Sequence, residues 1–140
     1  MSAPAYTTEI LRLAASLSDP RELQREDGKA ELRSPTCGSR VAIAVQLDDE
    51  RRVELISQQV HACAFGQASA ALVERHAIGR THAEVSDALI ALSRWLASEQ
   101  DETGAWPGLD ALEPARVRKG RHGAILLPFR ALLAAIETAG

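Results

Sequence analysis

The chain has 140 residues, 46% hydrophobic and 25% charged, with a formal net charge of −3. That balance suits a single domain over 1–140 with one core, and it excludes the sequence-wide basic field that nucleic acid or an anionic membrane would call for. No apolar run approaches a membrane span, the N-terminal stretch lacks the basic start and apolar block of a secretory signal, and two cysteines cannot build a disulfide framework, so a cytoplasmic protein with reduced thiols is expected.

In chain order, Ile10, Leu11, Leu13, Ala14 and Leu17 fall on one face of a helix over 5–17. Thr7 or Thr8 suits its N-cap, Asp19 and Pro20 end it, and 21–29 reads as a charged linker. Val41, Ile43 and Val45 then alternate with Ala42, Ala44 and Gln46, the period of a strand. A polar turn at 48–50 leads to a second alternating run from Val53 to Val60, giving a hairpin, with a third strand expected at 30–33. After Cys63 the pattern becomes helical, and Gly79 suits a C-cap. Thr81 and Glu84 form a capping box for the next helix, which runs to about Ser98 with Val85, Ala88, Leu89, Leu92 and Leu96 on one face. The segment 99–123 is polar and turn-rich, with a short helix at 109–112. A last helix is expected over 127–138, with Pro128 in its first turn. Helix, strands, then helices predicts an α+β fold: a small antiparallel sheet of about three strands with helices on one face.

The chemistry concentrates at the two thiols. Cys37 lies in the polar turn "SPTCGSR", where Gly38 permits a positive φ. Cys63 lies where a strand gives way to a helix. Asp49, at the hairpin turn, is 12 residues from Cys37 (49 − 37) and 14 from Cys63 (63 − 49), so the two thiols are expected at the same end of the sheet. The unpaired N–H groups of a helix start favour a thiolate at Cys63. Two readings stand side by side: a soft-metal or sulfur-chemistry site, or two small buried hydrophobes.

Of the four histidines, His76 and His82 flank a helix connection and read as surface residues. By strand alternation His61 shares a face with Cys63. The loop carrying His122 can return to the thiol end. Arg116, Arg118, Lys119 and Arg121 make a compact basic patch: a solvated loop, an anion site or a docking surface, and slender support for nucleic acid. No Walker A run, G-x-S-x-G, G-x-G-x-x-G or H-E-x-x-H motif occurs, so no independent enzymatic activity is expected.

"SPTCGSR" before a hairpin, "HACAFGQASAALVE" opening a helix and the tail "RHGAILLPFRALLAAIE" together resemble the U-type iron–sulfur cluster assembly scaffolds, that is IscU, SufU and the NifU N-terminal domain. The long interval between Cys63 and the tail is similar to the SufU branch. The resemblance covers most of the chain. It implies a SufE/NifU-like α+β fold and a role in iron–sulfur cluster assembly. The implied partners are a cysteine desulfurase and other assembly proteins; a homodimer is a further option, since two protomers could together supply four thiolates. Family members hold an iron–sulfur cluster or zinc with three cysteines and an aspartate. The first two cysteines fall on Cys37 and Cys63, which the resemblance makes cofactor ligands and sulfur acceptors. The aspartate falls on Ser39, the third cysteine on Gly123 or Ala124, and a histidine of the IscU branch on His122. Cys37, Cys63 and His122 are therefore the implied metal set, with His61 or water to complete it, and two of the usual four ligands are replaced. Two alternatives follow: a zinc-dependent or persulfide sulfur-transfer protein, and a ligand-free regulatory paralogue.

Overall fold

A computed structural model describes residues 6–35 and 38–139; Cys37 lies outside the described residues. Helix α1 (Thr8–Ala15) begins where the Thr7 hydroxyl accepts from the Ile10 amide at 3.1 Å, and it turns Ile10 and Leu13 inward. Strands β1 (Gly28–Arg33), β2 (Arg40–Leu47) and β3 (Val53–His61) form an antiparallel sheet in the order β1-β2-β3. Helices α2 (Ala64–His76), α3 (His82–Leu96) and α4 (His122–Thr138) follow, with 3₁₀ turns at Leu109–Ala115 and Lys119–Arg121 between the last two. The expected α+β fold, with an antiparallel sheet and helices, is the observed one.

The two-residue period decides which face of the sheet is covered. Val41, Ile43, Val45 and Ile56 point to the helices and are buried, with Ala30, Leu32 and Val60 packed alongside. In register across the opposite face run Lys29, Ala44 and Ser57, then Glu31, Ala42 and Gln59, then Arg33, Arg40 and His61. This face carries no helix. The antiparallel arrangement suits such one-sided burial.

The covering layer is organised around α2. Eight of its residues are buried, among them Gly66, Ala68, Ser69, Ala70 and Ala71. Three polar groups bond to or from it. The Gln58 amide donates to the Ala70 carbonyl (2.9 Å), the Ser69 hydroxyl donates to the Ile125 carbonyl (2.6 Å), and the Trp106 indole donates to the Leu72 carbonyl (3.1 Å). Each satisfies a buried polar group that would otherwise be costly. Phe65 meets Tyr6 edge-on and Trp106 meets Phe129 edge-on, at centroid distances of 4.8 and 5.1 Å.

Several elements differ from the sequence expectations. The linker 21–29 is structured: the Arg21 amide donates to the Ser57 hydroxyl, Arg25 donates to the Leu47 carbonyl and the Asp27 amide to the Val45 carbonyl, so the segment straps across the sheet into β1. Charged side chains that reach strand carbonyls are invisible to hydrophobic periodicity. Helix α2 ends at His76 with Ala77 as its C-cap, and Gly79 (φ 87°) serves the connection beyond it instead. The 3₁₀ turn extends to Ala115 rather than 112. Helix α4 starts at His122, five residues earlier than expected from the Pro128 signal (127 − 122), so Pro128 sits in its second turn. A proline there has no N–H for the carbonyl four residues back, which is that of Ala124. That carbonyl lies against α2, 3.2 Å from where a Cβ on Gly66 would stand.

Two outcomes follow. A Cβ at Gly66 would come within 2.6 Å of the Ala62 methyl as well, so Gly66→Val is expected to lose about 1–3 kcal/mol of stability by overpacking, read from urea unfolding. The Asp27 carboxylate accepts from Arg25 Nε (2.9 Å) and the Leu47 amide (2.7 Å), and these two bonds, Arg25 first, hold it below the usual carboxylate range. A carboxylate depressed in the folded state adds stability above its unfolded titration range and loses it as pH falls through the folded value. Asp27→Asn should therefore be less stable than the parent at neutral pH, with the gap closing on acidification. An unchanged gap down to low pH would contradict the assignment.

Candidate functional site at the thiol end of the sheet

Arg33 pairs with Arg40, and the Ser34 amide donates to the Ser39 carbonyl at 2.8 Å. The turn 34–39 is therefore the tight connection of the β1–β2 hairpin, with Gly38 at φ 72° as its left-handed residue. Cys37, the first predicted ligand, belongs to this turn and lies outside the described residues. Its neighbours fix the place of the turn. Arg40 pairs with His61 in the next strand, and Cys63 follows two residues later. Ser34, Ser39 and Cys63 thus stand at one end of the sheet; the expected meeting of the two thiols rests on Cys37, which lies outside the described residues.

Cys63 is the N-cap of α2, at φ −66° and ψ 174°. Its carbonyl accepts the Gln67 amide at 2.9 Å, and the Gln67 side chain donates to the Ala62 carbonyl at 3.0 Å. Its side chain makes no capping bond to the α2 amides. The thiol is half-buried and packs against the core. His61 points from the exposed face of the sheet, whereas the chain turns inward after it and carries Cys63 to the core side. Strand alternation does not extend across that turn, so the two are not set on one face.

His122 opens α4 and is half-buried, and its Nε2 lies 2.9 Å from the Ala115 carbonyl oxygen and 3.1 Å from that of Arg116. Both partners are acceptors, so Nε2 carries the proton and donates to them. That nitrogen fastens the end of the 3₁₀ turn to the start of α4. Ser39 is buried, and the Ala124 side chain is fully buried against α2. Among the described residues, no group of three or more His, Cys, Asp or Glu side chains is placed to hold a metal ion. Structural zinc takes four ligands and a four-iron cluster four thiolates, so the described donors of one chain do not fit either group.

His76 is partly buried rather than on the surface. Burial first, then Arg75 and Arg80, pushes its pKa down. His82 is exposed and lies 3.4 Å from Glu137. The row Arg33, Arg40, His61 across the exposed face is legible only once the strands are paired. Two arginines bracketing a cysteine turn are the available signal in the sequence.

No protein-family model matches the sequence, and no curated protein does. Solved structures do match. A nitrogen-fixing NifU-like protein (N-terminal) from Brucella abortus superposes with a TM-score of 0.84 at 31% identity, over 96% of this chain and 94% of that one. An iron–sulfur cluster assembly scaffold protein for the SUF system from the thermophile Fervidobacterium islandicum gives 0.82 at 20% identity, over 94% and 96%. A hypothetical protein gives 0.68 at 23% identity, over 92% and 96%. The last two likenesses are of fold alone. The first joins fold to sequence over nearly the whole of both chains, and on that ground the protein belongs to the NifU-like N-terminal family of U-type iron–sulfur cluster scaffolds.

Proposed function

We propose that this chain works in iron–sulfur cluster assembly as a single U-type domain in the cytoplasm, without enzymatic activity of its own, and that it receives sulfur from a cysteine desulfurase on Cys63 and Cys37. The observation that carries the reading is the placement of Cys63: half-buried, at the N-cap of an enclosed helix, at the sheet end shared with the turn 34–39. The α2 amides favour negative charge there, which helps a thiolate attack. In that step the Cys63 thiolate displaces the inner sulfur of the desulfurase persulfide. A new S–S bond forms on Cys63, the desulfurase S–S bond breaks, and its cysteine leaves as a thiolate, so sulfur moves with no net oxidation. The cluster is the cargo of the pathway. With Ser39 at the family's aspartate position and Gly123 or Ala124 at its third cysteine, and His122 Nε2 committed to carbonyls, a second protomer or the partner would have to complete its ligands.

A ligand-free regulatory role is the second reading, favoured by those same replacements. The two part in one experiment. Incubated with desulfurase and cysteine, the parent protein should gain the mass of one sulfur atom on Cys63 by peptide mass spectrometry and raise desulfurase turnover. Cys37→Ala with Cys63→Ala should do neither. Turnover raised equally by the double variant would move the reading to the regulatory role, and no effect of either protein would remove the desulfurase as partner.

His122→Ala separates a strut from a ligand. It is expected to lower stability by about 1 kcal/mol, because two part-buried carbonyls lose their donor, while zinc or iron uptake on reconstitution stays at the parent's level. Loss of uptake with stability intact would restore His122 as a ligand.

A further inference from the structure

Helix α4 runs the length of the sheet. Its C-terminal part meets the start of β1, where Thr138 bonds the Lys29 backbone, and its first turn meets Gly66, three residues after Cys63. The loop that feeds it is therefore delivered to the thiol end. That loop carries Arg118, Lys119 and Arg121, all exposed, and the sheet brings Arg33 and Arg40 to the same end. Arg40 is met by Glu31 at 3.5 Å. Arg33, Arg118, Lys119 and Arg121 make no ion pair among the described residues. Other cations are occupied in part: Arg25 by Asp27 and Glu54, Arg52 by Glu50 and Glu84, Arg116 by two carbonyls and the Trp95 ring, whereas Arg12, Lys29, Arg94 and Arg130 also make no ion pair among the described residues but stand apart along the sequence. An acidic protein thus gathers three exposed cations without an ion pair into the stretch 118–121, at the Cys63 end of the sheet. In the midst of that loop Val117 is 86% exposed, the most exposed large hydrophobic residue among those described.

We infer that the loop 116–121, together with Arg33, is a docking surface for an acidic segment of a partner protein, with Val117 as its apolar anchor. Charge complementarity selects the sign of the partner. The form of the surface selects a polypeptide over a small anion: the cations are spread on open surface around an apolar side chain, so an occupant must span them and also bury a valine. Carboxylates flanking an aliphatic or aromatic residue meet both demands. Rim charges of this kind act on the rate and salt dependence of encounter, while a buried apolar contact acts on how long the partner stays. Docking here would set the partner's acidic segment beside Cys63 and the turn 34–39. The inference does not depend on a desulfurase, and its test contains none, so the two stand or fall separately.

The test uses the full chain and a fluorescein-labelled peptide of glutamates and aspartates around a central leucine, followed by fluorescence anisotropy at two salt concentrations. The substituted residues are exposed, and circular dichroism of each variant checks that the fold persists. Arg118→Glu with Lys119→Glu should weaken binding by about tenfold, the sum of two lost and reversed surface pairs, and should flatten the salt dependence. Val117→Ser should weaken binding severalfold with the salt dependence unchanged. The control pair Arg94→Glu with Arg130→Glu, exposed cations on α3 and α4, should bind as the parent does. Absence of binding by the parent, equal losses in the control pair, an inert Val117→Ser, or tighter binding of a single-stranded RNA oligonucleotide than of the peptide would each overturn the inference.

Discussion

The structure depends on the enclosure of α2. Small residues let the helix lie close to its neighbours, and Gly66 lets the first turn of α4 approach nearer than any side chain would allow. Pro128 contributes from the other side, because the carbonyl it leaves without an i+4 donor is the one facing Gly66. Bonds from Ser69, to Leu72 and to Ala70 then fix α2 in rotation and depth against α4, the 99–108 segment and β3. A helix held this way cannot shift without breaking buried polar contacts. Since Cys63 is its N-cap, the position of the thiol is set by the core, with no metal needed to set it.

What the sequence made legible follows from where the physical signal was local. The Thr81–Glu84 box is a short-range pattern of side chain and backbone, and it formed as read, with both reciprocal bonds present. The alternation at Val41, Ile43 and Val45 reports one-sided burial directly. The start of α4 was misplaced because Pro128 carries a strong local preference for the first turn, which packing against Gly66 overrode. The strap 21–27 was missed because its bonds run from charged side chains to strands about 20 or more residues away. For the site, hairpin geometry brought the turn 34–39 and Cys63 together on paper. The fate of His122 was hidden, because the carbonyls it holds become neighbours only when the 3₁₀ turn folds back on the helix.

The proposed sulfur transfer and the charges point in one direction. A self-sufficient ligand set needs donors that converge within one chain, and the described residues do not supply one. The sulfur transfer proposed for Cys63 takes a persulfide brought by a partner, so it begins with an encounter between proteins. Encounter between proteins is accelerated when unneutralised charge surrounds the point of contact. This chain places such charge in the loop before α4 and at Arg33, and not on the strap, where the Arg25 cation is spent internally on Asp27 and Glu54. The helix that presents the thiol meets the first turn of α4 at Gly66, and the charged loop leads directly into that turn, so one packing contact helps to position both, and a change there should disturb recognition and chemistry together.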